Sequence, residues 1–188
     1  MRKLEVRRHS LTKKGPMRGR GSHLSGDGVA LARAVGALIG PVDHVLVGPL
    51  PRHLETAIAM GYAVDDVVEW PSGYVPGVVE HHDQWRWPAP FARYAELIRV
   101  QPALADVADA HRRLWTRAVQ AVPEGGTALV ISSGGAVEPA LVACVPEADH
   151  ASWGAPFSHC DGARLSYAAG RFVDVALDRV ADQSADRS

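Results

Sequence analysis

Apolar and polar residues alternate through Leu4-Glu5-Val6-Arg7, the pattern of a half-buried strand, and the stretch ends in Arg8-His9. A helical pattern opens at Ser25, whose side chain suits an N-cap, with Asp27 in the first turn. Ala30, Leu31, Ala34, Val35 and Leu38 share one helical face, and Gly40-Pro41 stops the helix. Asp43 to Val47 reads as a second strand. Pro51 fits a first helical turn, and that helix runs to about Met60. A short strand follows at 64–68. Residues 71–90 are rich in Pro, Gly, His and Trp and carry no period. A connection that long in a compact domain is often functional. Two helices are predicted at 91–100 and 102–122. Thr127 to Ile131 is a continuous apolar run, as expected of a central strand buried on both faces, and it ends in Ser132-Ser133-Gly134-Gly135. A short helix carries Val137, Leu141 and Cys144. Residues 164–168 and 171–177 form a hairpin about Gly170. Strands alternating with helices predict an α/β fold: a three-layer sandwich with a mostly parallel central sheet and helices on both faces.

Composition bounds this picture. With 188 residues, 47% of them apolar, the chain reads as one domain over 1–180. The polar tail 181–188 reads as frayed. A net charge of -1 offers no basic footprint for nucleic acid. No segment approaches the roughly 20 apolar residues of a membrane span. The basic start runs straight into a strand, without the apolar region of a secretory signal. A cytoplasmic location is therefore expected, with neither nucleic acid nor membrane as partner and with no preference on oligomeric state. Cys144 and Cys160 make no disulfide framework or metal spacing, and the unusual count is nine His.

Candidate chemistry sits at strand ends. Arg8-His9 would lie at the carboxyl edge of the sheet, where open α/β sheets bind ligands. Imidazole can act as a nucleophile, and guanidinium grips phosphate with two parallel hydrogen bonds. Arg52 sits at a helix start, where backbone N–H groups favour an anion. Glu80-His81-His82-Asp83 invites a metal reading, but adjacent histidines on a loop rarely share one ion. That segment reads rather as a substrate-facing loop or polar surface. Trp85 and Trp87 either cover the site or pack inward. Ser10, Lys14 and His82 are candidate substrate contacts, while His159-Cys160 reads as structural.

Three motifs fall in order: Val6-Arg7-Arg8-His9-Ser10, then Val45 through Arg52 to Thr56-Ala57, then Leu129-Val-Ile-Ser-Ser133-Gly-Gly135. Between the first two lies Leu24-Ser25-Gly26-Asp27-Gly28. Over about residues 3–178 this order resembles the histidine phosphatase superfamily, also called phosphoglycerate mutase-like. The resemblance implies that His9 becomes phosphohistidine and that Arg8 and Arg52 clamp the phosphoryl oxygens. It implies a general acid on the connection after the second motif, Glu80 first and Asp83 second. It implies no metal and no cofactor, and a small phosphorylated metabolite or a phosphorylated side chain as substrate. Mutase activity is less favoured, because the chain lacks an insert matching the mutases. Ser10 stands where the family has Gly. Ser133 stands where it has a second catalytic His, which predicts a weakened phosphohydrolase. The alternative is a catalytically degenerate phosphate-binding protein of the same fold.

Overall fold

The computed structural model describes residues 1–15, 22–80 and 83–180. The six strands are β1 (Arg2–Arg8), β2 (His44–Val47), β3 (Asp66–Val67), β4 (Thr127–Ser132), β5 (Gly162–Ala168) and β6 (Arg171–Asp178). The helices are α1 (Gly26–Ile39), α2 (Pro51–Ala59), α3 (Pro90–Val100), α4 (Pro102–Ala121) and α5 (Val137–Cys144). One sheet runs in the order β3-β2-β4-β1-β5-β6. Strands β3, β2, β4 and β1 are mutually parallel, while β5 runs antiparallel to both β1 and β6. Ala32, Val35, Ala57 and Met60 cover one face, against Val45, Val47, Leu129 and Ile131. The other face carries Phe91, Tyr94, Leu104, Trp115 and Leu141 against Leu4, Val6, Ala128 and Val130. The three-layer arrangement expected from the sequence is the one observed.

Two local readings need correction. Strand β1 is not half-buried. It lies between β4 and β5, and Glu5 and Arg7 are as buried as Leu4 and Val6. Their charges are matched internally: Arg7 Nη2 is 2.5 Å from Glu5, Arg164 Nε is 3.0 Å from Glu5, and Arg7 also pairs with Asp178. Polar alternation here marks an enclosed ion network, since a buried charge must be paired.

The buried face of α1 is only partly the predicted one, with Val35 buried and Leu31 packed against the core as expected. Gly28, Ala32, Val35 and Gly36 point inward, whereas Leu38 is exposed. Small residues are favoured on this face because other backbone comes close. A Cβ on Gly36 would stand 2.1 Å from the Met60 carbonyl oxygen, and one on Gly28 would stand 2.0 Å from that of Leu11. Ser25 caps the helix as expected, accepting from Gly28 N at 3.0 Å. The tail 181–188 and His81-His82 lie outside the described residues.

Candidate active site

Parallel β1, β2 and β4 end together, which gathers Arg8-His9, Gly48 and Ser132-Ser133 at one edge of the sheet. Backbone bonds join these ends: His9 N donates to Ser132 O at 2.8 Å, and Gly48 N donates to Ile131 O at 3.4 Å. Helix α2 starts there too, with Pro51 in its first turn and Arg52 next. Thr56, one turn on, ties helix and strand together. Its hydroxyl donates to Arg52 O at 2.6 Å and accepts from Ser10 N at 3.0 Å.

His9 is almost fully buried, and its Nδ1 is 2.8 Å from the Ser10 carbonyl. A carbonyl only accepts, so Nδ1 carries the proton and Nε2 keeps a lone pair. Burial holds this imidazole well below the ordinary histidine range. The nearby charges of Arg8 and Arg52 act the same way, and the Ser10 bond opposes them. The ring is therefore neutral at neutral pH and flanked by two cations. Arg8 and Arg52 act on each other as well as on His9, and the Tyr74 ring lies close to both.

Arg8 is held from several sides. Its Nη1 donates to Phe157 O, and its guanidinium stands over the Trp85 ring, 5.5 Å from the centroid. Glu138, fully buried at the start of α5, acts on Arg8 through its charge. The Glu138 carboxylate accepts from Gly135 N at 2.6 Å and from Phe157 N at 3.2 Å. Burial pushes this carboxyl up, and Arg8 opposes that shift. A Cβ on Gly134 would come within 3.0 Å of Arg8 Nε, so glycine here leaves the guanidinium its room.

The segment before β5 closes the site. Cys160 adopts a left-handed backbone, φ 61°, and its N donates to Arg8 O at 3.2 Å. That turn sets His159 beside His9, with ring centroids 5.7 Å apart. Arg179 fastens the same segment from behind. It donates to the carbonyls of Trp153, Ala155 and Pro156 and stacks on Phe157, 4.7 Å to the centroid. A cleft of about 360 Å³ results, lined by Arg8, Trp85, Pro156, Phe157, Ser158 and His159.

The third histidine is His53, on the first turn of α2. Its centroid is 5.8 Å from that of His9, and its Nε2 is 2.7 Å from Ser133 Oγ. Burial pushes its pKa down to about 3, and Arg52 adds to the effect.

No family model matches the sequence, and no curated protein matches it. Solved structures do match. A mycobacterial glucosyl-3-phosphoglycerate phosphatase superposes with a TM-score of 0.65 at 21% identity, covering 95% of this chain and 98% of its own. A phosphoserine phosphatase from Entamoeba histolytica, bound to 3-phosphoglyceric acid, gives 0.65 at 15% identity, covering 96% and 98%. The chain shares the three-layer α/β fold of these phosphatases. The mycobacterial phosphatase has also been solved with inorganic phosphate, and that form superposes on this chain with a TM-score of 0.63 at 22% identity over 95% and 96%.

Within this fold, the anticipated residues divide into two groups. Arg8, His9, Arg52 and Ser133 stand at the one sheet edge. Ser10 is adjacent but fully buried, and its hydroxyl donates to Gly28 O at 2.7 Å. It braces α1 against β1 and is not a surface contact. Lys14 is exposed on its loop, and His82 lies outside the described residues. Glu80 is exposed, with its carboxylate accepting from Gly77 N at 2.7 Å, and Asp83 accepts from Glu80 N at 3.2 Å. The tryptophans separate: Trp85 lines the cleft, whereas Trp87 packs on Tyr94 at 5.1 Å. His53 and Glu138 were not anticipated as site residues, and His159 was read as structural. Glu138 had one signal, a lone acid in the apolar stretch Val137 to Cys144. His159 faces the cleft rather than serving packing alone.

Proposed function

We propose that this protein is a phosphohydrolase acting on a phosphate monoester, either a small phosphorylated metabolite or a phosphorylated side chain. The observation that carries this reading is His9: a buried neutral imidazole, fixed through Nδ1 on the Ser10 carbonyl, with Nε2 unprotonated and two arginines alongside. That is a nucleophile set beside an anion site. His9 Nε2 attacks phosphorus, and the P–O bond to the leaving group breaks. Arg8 and Arg52 hold the charge on the equatorial oxygens. Glu80 protonates the departing alkoxide, with Asp83 the second candidate. The same carboxylate then takes a proton from the water that cleaves phosphohistidine, and inorganic phosphate leaves. The two phosphatases of like fold support monoester hydrolysis over transfer between hydroxyls.

The test is turnover of an aryl phosphate with radiolabelled phosphate trapped by rapid quench. Acid-labile, base-stable label on the wild type, absent from His9→Ala, is the expected result. EDTA leaves the rate unchanged. Tight phosphate binding without turnover or label would make the protein a degenerate phosphate binder.

A further inference from the structure

We propose that His53 and Ser133 form one donor unit, in which His53 aims the Ser133 hydroxyl proton at a bound phosphoryl oxygen. This inference rests on the phosphoryl site assigned above and extends it to a side chain that the reaction scheme leaves unused. Ser133 alone is an undirected donor: a hydroxyl rotor can turn its proton to any acceptor nearby. What lies behind it decides where the proton goes.

Four observations bear on that. His53 Nε2 is 2.7 Å from Ser133 Oγ, within good hydrogen-bonding range. The ring cannot swing away. Trp70 lies on it at 5.9 Å, and a Cβ on Gly48 would stand 2.3 Å from Nδ1. Nδ1 lies against the Gly48 backbone, a contact that opposes the effect of burial on the ring but is poorly aligned as a hydrogen bond. Finally, the ring is buried and neutral, so it holds a single proton.

Tautomer and direction follow. On this proposal the one proton sits on Nε2, with the serine oxygen 2.7 Å away, rather than on Nδ1, whose contact with Gly48 is poorly aligned. Nε2–H then donates to Ser133 Oγ. The serine lone pair is engaged, and its own O–H is left to point away from His53 and, in the proposed unit, toward the bound phosphoryl group. Each proton stays on its own heavy atom, so the unit is a hydrogen-bond chain from His53 through Ser133 to the phosphoryl oxygen. His53 is thus a positioning residue, and Ser133 is the group that touches substrate.

The test is a double-mutant cycle on orthovanadate and inorganic phosphate affinity, using Ser133→Ala, His53→Phe and both together. Each single change should weaken vanadate about tenfold, and the double should also lose about tenfold rather than about a hundredfold. His53→Gln, which keeps an N–H, should recover part of the loss. A ring with only a packing role would show additive losses and no rescue, and either result overturns the proposal. The ¹⁵N shifts of His53 provide a readout independent of variant folding. The Nε2–H tautomer is expected in the wild type, with the preference weakened in Ser133→Ala, and an Nδ1–H tautomer would overturn the assignment. Coupled vanadate losses without turnover of any phosphate ester would refute the hydrolase reading alone. Additive losses in an active enzyme would refute this proposal alone. No binding of either anion would refute both.

Discussion

Ser10 N donates to Thr56 Oγ1 at 3.0 Å, which joins the residue after His9 to the helix that presents Arg52. The two residues are 46 positions apart. His9 is fixed by the Ser10 carbonyl, so one hydroxyl sets the distance between imidazole and guanidinium. Thr56→Val keeps the shape and deletes that bond, leaving a buried N–H unpaired. A loss of about 1–3 kcal/mol in stability is expected from denaturant midpoints. The proportional loss in kcat should exceed that in KM, because geometry at phosphorus is disturbed. A variant indistinguishable from wild type in both would remove Thr56 from this role.

The pH dependence follows from the depressed histidines. On the proposed mechanism the neutral form of His9 is the nucleophile, so kcat/KM should stay level as pH falls through the ordinary histidine range. It should drop only at more acid values. Stability should behave differently. His53 takes a proton near pH 6.5 when unfolded but only near pH 3 when folded, so its contribution is complete above about 6.5 and erodes below it. Between about pH 6.5 and 4.5 the loss is on the order of 2 kcal/mol. Urea midpoints across that range, for wild type and His53→Phe, would reveal it. An acid limb of kcat/KM near pH 6.5 would contradict the neutral, buried His9.

Ser133→His looks at first like a gain of a stronger donor. The structure argues otherwise, because His53 Nε2 already stands 2.7 Å from the serine oxygen and leaves no space for a second ring. The single variant should lose activity and stability. Ser133→His combined with His53→Ala vacates that space and should recover turnover relative to the single change. Equal activity in the two variants would show that the rings do not compete.

Glu138→Gln tests the electrostatic support of Arg8. The carboxylate accepts two backbone N–H groups, from Gly135 and Phe157, and an amide offers one oxygen for both. A loss on the order of 2–3 kcal/mol is expected, together with weaker phosphate binding as Arg8 loses its facing charge. Calorimetric titration of phosphate would measure the second effect. Unchanged affinity would mean that Arg8 is held by Phe157 O and Trp85 alone.

Much of the fold is visible in the chain because its signals are local. The apolar run into Ser132, the capping Ser25 and the Gly170 turn each fix an element without help from afar. Arg8, His9 and Arg52 are visible for the same reason, since strand ends and helix starts can be located. His53 was not, because its meaning depends on Ser133, 80 residues away. Gly28, Ala32 and Gly36 on the buried face of α1 were missed because small residues give no hydrophobic signal. They matter only once the Met60 and Leu11 carbonyls come close. Glu5 and Arg7 read as solvent-facing because a polar alternation looks the same whether water or a partner charge lies opposite.

Arg179 has a practical bearing on how this protein can be handled. Its guanidinium holds three carbonyls of the segment that presents Phe157 and His159, and Val180 N donates to Asp161 at 2.8 Å. The last described residues therefore act as a latch on the rim of the cleft. A chain cut after Asp178 would keep every strand yet release that rim. A cut after Val180 would keep the Arg179 and Val180 contacts.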